Sequence, residues 1–524
     1  MKAFTVQIIF YFFFTYCNSQ PVIYQWGKCI GGSENDIGST IFSIDSNVLV
    51  ICGTTESGDG DVDNHFNFYD FWIMKLDVSG NVLWNNCYGG TQDEQAVSMI
   101  KTADNGFALT GYTTSNDHDV SGRHGTATYH DIWVMKIDSI GNLIWQKCLG
   151  GSYTDNGKSI IETSDGGFIV TGETESIDGD VTNPHGDLDA WVIKLDSLGN
   201  ILWSKTIGGT GPESSTSCKE STDGSIIVAG YANSFNMDFQ NCVGGTTSDA
   251  WCAKLDSLGN TLWLNCYGGS SSDGFYQLLV DQSGYIYGIG GTSSNDGDVS
   301  GGHGVTDMWL TKIDNNGNLI WSKCYGGSNF DFANGATFSN DNGIIMSGFT
   351  NSSDGMISTP QHGNGDYWIL KVDASGNYLW DMCIGGTAED WATAVCQTAD
   401  NKVITVGYTL SNNYDVSGNH GLKDLWITSL ADNLANVHEL ENGSISNYEC
   451  NFKDGILEIN FNSQSSMRIE ISITDVLGRQ LQFRHVQVTK GINKIYLNQE
   501  SMNNICLVNI FSDNFVLSKK LFLK

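Results

Sequence analysis

The sequence predicts an all-β fold, a seven-bladed β-propeller of four-stranded blades followed by a smaller β-domain, and three observations predict it. One tryptophan series, Trp26, Trp84, Trp145, Trp203, Trp263, Trp321 and Trp380, is followed each time by a Gly-Gly pair five and six residues later. A second series, Trp72, Trp133, Trp191, Trp251, Trp309, Trp368 and Trp426, is preceded each time by an Asp two residues earlier. Both have seven members spaced 58 to 61 residues apart, and only Trp391 of the 15 tryptophans lies outside them. A fixed period of that length marks a repeat in which each copy is one supersecondary unit.

The third copy shows what the unit is. Ser159 to Thr163, Phe168 to Gly172, Trp191 to Asp196 and Ile201 to Trp203 are short β-branched or aromatic runs. Turns written Ser164-Asp165-Gly166-Gly167 and Ser197-Leu198-Gly199-Asn200 separate them, and these are residues that supply turn geometry. Four strands and no helical period predict a propeller blade. The chain begins with a Trp and Gly-Gly strand (Trp26 to Gly32) that has no first half, and the repeats end with an Asp and Trp strand (Asp424 to Leu430) that has no second half. The two halves are expected to pair in the seventh blade, so that no sheet edge is left open at the join.

Met1 to Ser19 carries one early cation (Lys2), an apolar run from Ile8 to Phe14 and a polar stretch at Cys17-Asn18-Ser19-Gln20, which predicts a signal peptide cleaved before Gln20. The run is far shorter than the roughly 20 residues of a spanning helix, and no transmembrane segment is expected elsewhere. Bulky Tyr16 before Cys17 ranks lipidation below simple cleavage. The expected organisation is 1–19 signal peptide, 20–432 propeller, 433–445 linker and 446–524 C-terminal domain.

The formal charge of -33 lies entirely before residue 433, because residues 433–524 hold nine basic and nine acidic side chains. Such a surface repels phosphate backbones and excludes nucleic acid as a partner. Six of the 14 cysteines, Cys29, Cys87, Cys148, Cys266, Cys324 and Cys383, share one repeat position that Thr206 fills in the remaining copy. They read as small buried residues. Cys242 with Cys252, or Cys383 with Cys396, are the candidate local disulfides.

The units resemble bacterial β-propeller repeats of secreted proteins, in which a strand ending Lys-Leu-Asp, a Gly-Asn turn and a Trp or Tyr strand ending Gly-Gly recur. The resemblance covers residues 22–432. It implies a strand order with the run before Asp-Gly-Gly innermost, which places two loops of every blade on one face. One follows Gly-Gly and carries an acid in each copy (Asp36, Asp93, Asp155, Glu213, Asp273, Asp331, Asp390). The other is the long loop before Asp-x-Trp. That face is the expected binding face.

Within the long loops, Asp59 with Asp61, Asp178 with Asp180, and Asp296 with Asp298 have the alternating carboxylates of calcium loops, so calcium is the candidate cofactor. Asp117 and Asp119 flank His118 in the same way. The fourth, sixth and seventh copies drift (Asp238 alone, Asp354 with Met356, Asn413 with Asp415), which a turn-forming role for Asp and Gly also explains. The histidines His65, His124, His185, His303, His362 and His420, one per unit, are too dispersed for one metal and read as loop packing. The seven Asp residues before the second tryptophan series are expected to anchor strand starts.

Propeller sialidases need several arginines for a bidentate grip on a carboxylate. Arg123 is the only arginine before residue 468, which removes that class. Quinone-dependent dehydrogenases are excluded for want of adjacent cysteines and a basic pocket. No catalytic residues are assigned. Trp391, beside Asp390, is the place to look for asymmetry, with an ordinary packing role ranked above a functional one.

From Ser446 the glycine repeat gives way to alternating strands. The stretch Ile473-Thr474-Asp475-Val476-Leu477-Gly478-Arg479, with the basic end Lys519-Lys520-Leu521-Phe522-Leu523-Lys524, resembles the C-terminal sorting domain of the type IX secretion system of Bacteroidota. That resemblance implies an Ig-like β-sandwich, the type IX machinery as partner, and a secreted or cell-surface destination. Tyr448-Glu449-Cys450-Asn451 lacks the two prolines with which family members usually open. The expected function is a binding or scaffold module for a glycan or surface protein. The alternative is an extracellular polysaccharide hydrolase with an acidic site on the long-loop face.

Overall fold

The computed structural model describes residues 22–45, 47–240, 242, 247–359 and 361–432, and then 445–453, 456–463, 467–475, 480–498, 505–512 and 515–522. The expected signal peptide, with Cys17 and Gln20, and residues 433–444 of the expected linker lie outside the described residues. Two compact units separate near Asp432, the larger spanning Tyr24–Ala431.

The larger unit holds seven four-stranded sheets, one per repeat. In blade 3 the strands Asp155–Glu162, Phe168–Thr174, Asp189–Leu195 and Ile201–Ile207 follow one another and pair antiparallel. The second and third are buried at every position, because a blade packs against a neighbour on each face. That is why these strands read as continuous apolar runs instead of alternating ones. The seventh sheet takes its fourth strand from the other end of the ring: Val22–Ile30 lies beside Asp424–Asp432, and Thr393 Oγ1 donates to the Gly38 carbonyl (2.6 Å) across the seam.

The two tryptophan series have different work. The second series is fully buried. Its indoles pack between blades, as where Trp133 meets Phe71 of the preceding blade (centroids 4.6 Å apart) and Trp426 meets Tyr367 (4.6 Å). The first series lies on the outermost strands, and all of it except buried Trp380 covers the Gly-Asn turn of the next blade. A Cβ on Gly199 would lie 2.9 Å from the Trp145 ring, and the Trp145 indole N–H donates to the Ser197 carbonyl (3.2 Å). Gly199 also has φ +80°, a region that L side chains avoid. Trp26, Trp84, Trp203, Trp263 and Trp321 meet Gly80, Gly141, Gly259, Gly317 and Gly376 in the same way. Six blade-to-blade clasps result, one of them across the closing seam.

One expectation is corrected. Cys242 is bonded to Cys266, while Cys252, Cys383 and Cys396 are free thiols. Side-chain direction is the reason. Cys266 stands opposite Trp251 in the register, so Cys252 points through the other face of the sheet. The long loop of blade 4 folds over the Trp251 face, where Phe239 packs on that indole (5.7 Å), and brings Cys242 to Cys266. Cys383 and Cys396 belong to different blades.

The smaller unit has two sheets, one of three strands and one of four, with Ile459, Phe461, Ile471 and Val488 buried. Among the described residues its strands pair antiparallel. Among the described residues no helix is long and apolar enough to cross a membrane.

Candidate functional site

The loop after Gly-Gly and the long loop before Asp-x-Trp do share one face, and hydrogen bonds between them explain most of their acids. Asp59 Oδ1 accepts from the Ser33 amide (2.8 Å) and Asp61 Oδ2 from the Gly31 amide (3.3 Å). Asp178 takes both the amide and the hydroxyl of Ser152 (2.7 and 2.6 Å), and Asp180 the Gly150 amide (3.3 Å). Asp296 and Asp298 accept from Ser270 and Gly268 (2.7 and 3.4 Å). In blades 4 and 7 the amide oxygens of Asn236 and Asn413 replace the first carboxylate and take the equivalent bonds from Thr210 and Thr387. A neutral amide oxygen that serves as well as a carboxylate indicates a latch between loops. No set of three or more His, Cys, Asp or Glu converges on a metal position among the described residues.

Beneath the latches lies a second repeated arrangement that spacing alone does not reveal. At five junctions the Asp heading the third strand of one blade approaches the acid that opens the next, with the first glycine of Gly-Gly (Gly89, Gly150, Gly208, Gly326, Gly385) between them. A Cβ on Gly89 would lie 2.2 Å from Asp70 Oδ1 and 2.5 Å from Glu94 Oε2. On Gly326 it would lie 2.3 Å from Asp307 Oδ1 and 2.6 Å from Asp331 Oδ2, and on Gly385 2.6 Å from both Asp366 Oδ1 and Asp390 Oδ2. Only a residue without a side chain fits there. Glu94 is fully hydrogen-bonded, by the Gly90 amide (2.8 Å), Thr113 Oγ1 (2.6 Å) and the Ser115 amide. Asp70 Oδ2 accepts the Phe66 amide (2.8 Å), as Asp131, Asp189, Asp307, Asp366 and Asp424 accept from His124, His185, His303, His362 and His420, which anchors the strand starts. The Oδ1 atoms of these six aspartates are buried without a hydrogen-bond partner.

Burial, then the neighbouring carboxylates, push these acids up: Asp70 to about 8, Glu213 to about 7, and Asp36, Asp155 and Asp390 to about 6. The six histidines stand beside the same aspartates, His124 and His420 with Nδ1 at 2.8 and 2.7 Å and His65 at 3.7 Å. They are spread one to a blade.

Sevenfold regularity breaks at the inner mouth of this face. Each blade places there one cross-strand pair, the residue after the opening acid and its partner on the second strand. The pairs are Ile37 with Thr54, Gln95 with Tyr112, Asn156 with Glu173, Ser214 with Tyr231, Gly274 with Gly291, Phe332 with Phe349, and Trp391 with Tyr408. Trp391 stacks on Phe349 (4.6 Å, 24° between planes) and on Phe332 (6.2 Å, 21°), and Phe332 stacks on half-exposed Phe330 (6.1 Å, 8°). Blade 5 has glycine at both positions. Beside it opens a cavity of about 290 Å³, lined by Tyr231, Tyr276, Phe332, Ser272, Ser293 and Thr306 among others. Two larger cavities, of about 400 and 580 Å³, lie between blades 3 and 4 at the tight-turn face and the outer rim.

No known protein-family profile matches the chain. It is 26% identical over 193 residues to the regulatory protein FlaEY of Caulobacter vibrioides, covering 34% of this chain and 20% of that protein. It is 21% identical over 442 residues to an uncharacterized WD repeat-containing protein of Acanthamoeba polyphaga mimivirus, covering 64% of this chain and 31% of that one. The chain thus spans less than a third of the length of either curated relative. Among solved structures, a puromycin hydrolase aligns at 8% identity with a TM-score of 0.42, over 82% of this chain and 59% of its own.

Proposed function

We propose that the chain is a binding or scaffold propeller that works outside its cell, engages its ligand through the long-loop face, and is exported by the type IX machinery through its C-terminal domain. The observation that carries the binding role is the equivalence of the acids. A hydrolase needs one pair of carboxylates set apart from the rest in a pocket that admits substrate. Here the close carboxylate pair recurs from junction to junction, sealed under glycine and committed to holding loops. A repeated device of this kind is structural. What differs from blade to blade is the aromatic and polar character of the mouth, which is the part of a ring that selects a ligand.

A glycan array probed with the full chain, with and without a chelator, tests this reading. Retention of a defined glycan class is expected. Turnover of the bound glycan would favour the hydrolase instead, and retention lost with the chelator would bring calcium into the site. For export, the support is the resemblance of residues 446–524 to sorting domains, for which an Ig-like sandwich of the two C-terminal sheets is the expected packing. Fusing that segment to a reporter in a type IX-competent bacterium is expected to deliver the reporter to the medium or cell surface, and a reporter left in the periplasm would refute the assignment.

A further inference from the structure

The structure assigns the cavity left by the Gly274 and Gly291 pair as a subsite for one neutral pyranose unit. This inference deepens the binding role proposed above and rests on it.

The argument begins with what is missing. Every other blade fills the equivalent pair with at least one side chain larger than glycine, and blades 6 and 7 fill it with four aromatics. Gly274 and Gly291 are buried strand residues without a positive φ, so turn geometry does not require them. A Cβ on Gly291 would meet Phe332 at 3.2 Å and Thr306 at 3.4 Å, and one on Gly274 would meet Tyr276 at 3.4 Å and Tyr231 at 3.5 Å. Anything longer would occupy the cavity, so the two glycines are what keep it open.

Its walls state the chemistry of an occupant. Tyr231 and Tyr276 stand at the Gly274 side and Phe332 at the Gly291 side, the last fixed from behind by its stacking on Trp391. Aromatic side chains of this kind make apolar walls, and the C–H face of a pyranose ring offers a matching apolar surface. Between them lie the hydroxyls of Ser272, Ser293 and Thr306, of which Ser293 and Thr306 are 2.9 Å apart. Hydroxyls both donate and accept, which suits sugar hydroxyls.

The lining has no Lys or Arg to hold an anion. Its single carboxylate, Asp273, is engaged by the Gly269 amide, Thr292 and Ser294, which leaves it no role for a cation. About 290 Å³ is the low end of small-molecule sites and fits one ring, not a run of them. The site therefore takes the end of a chain or a single protruding unit.

Calorimetry of the full chain with cellotetraose, xylotetraose, chitotetraose and a galacturonan tetramer tests the assignment. At least one neutral probe is expected to bind and the anionic one not. Gly291→Tyr copies the residue that blade 2 carries at Tyr112 and is expected to abolish binding. Phe332→Ala is expected to weaken it by about tenfold, and Leu198→Tyr, on an exposed tight turn of the opposite face, is expected to leave it unchanged. Circular dichroism and thermal unfolding of each variant establish that it is folded, and Phe332→Ala carries the test if Gly291→Tyr does not fold. No binding by any neutral probe, or binding of the anionic probe alone, overturns the assignment. Neutral binding that survives Gly291→Tyr and Phe332→Ala also overturns it, while leaving the wider face as the binding surface.

Discussion

Replacing Asp70 by Asn should make this protein more stable at high pH and leave it nearly unchanged near pH 4. Asp70 is buried with its Oδ1 unpartnered and Glu94 alongside, and burial, then the charges of Glu94 and Asp119, raise its carboxyl from 3.8 to about 8 against the lowering by the Phe66 amide. The folded chain thus holds the proton more tightly than the unfolded chain does. A raised carboxyl contributes stability that is full below about pH 4 and is lost as pH climbs through 8. At about 1.4 kcal/mol per pH unit over the roughly four units between 3.8 and 8, the burden of ionising Asp70 is on the order of 6 kcal/mol by pH 9. An asparagine stays neutral, keeps the bond from the Phe66 amide and offers its NH₂ toward Glu94. Asp36, Asp155, Asp390 and Glu213 push the wild type the same way between pH 4 and 7, whereas Asp104 and Asp165, held near 2 by Lys136 and Lys194, act only below pH 4. Urea unfolding followed by tryptophan fluorescence at pH 4, 6, 8 and 9 measures the effect, with exposed Asp187→Asn as the control for net charge. Parallel curves for wild type and Asp70→Asn across that range would refute the reasoning, as would wild-type stability that rises from pH 4 to 8.

Other outcomes follow from the same geometry. Trp145→Ala removes one clasp and is expected to cost about 3 kcal/mol in urea unfolding, and Gly199→Ala about 1 kcal/mol or more, because that turn needs a positive φ. Asp178→Ala removes the latch to the amide and hydroxyl of Ser152 and should change stability equally with calcium or EGTA present; a calcium-dependent change would place an ion in that loop. Peptide mapping after thiol alkylation should recover Cys242 joined to Cys266, with Cys52, Cys218 and Cys252 labelled only on denaturation. Reducing that 24-residue bridge should lower stability by up to about 3 kcal/mol.

The ring was legible because two tryptophan series count the blades and two half-blades at the ends require each other. Trp391 is the tryptophan that repetition does not explain, and it packs on Phe349 and Phe332 between blades 6 and 7. The acid pairs escaped because their members lie on different blades, and each acid taken alone passes for a turn or a cap. The Gly274 and Gly291 pair escaped for a different reason: in a chain with 62 glycines, the two whose lack of a side chain makes a space look like the others. For the disulfide, strand parity outweighs proximity in sequence. Cys252 is nearer to Cys242 along the chain, yet it faces away.

The seam of the seventh blade also says something about the order in which the ring forms. Each blade from the first to the sixth is a run of neighbouring hairpins that can assemble as its own strands become available. The seventh joins residues as far apart as Gln25 and Ser429, 404 positions distant. Closing so long a loop costs only about 2 kcal/mol of entropy more than closing one blade, since the penalty grows with the logarithm of length. Time is the larger toll, because the first strand has to wait for nearly the last residues of the ring. Until they meet, the strand from Asp424 to Asp432 offers an unpaired edge to any passing β-segment. A nascent ring is therefore most exposed to wrong partners at the place that, once joined, seals it.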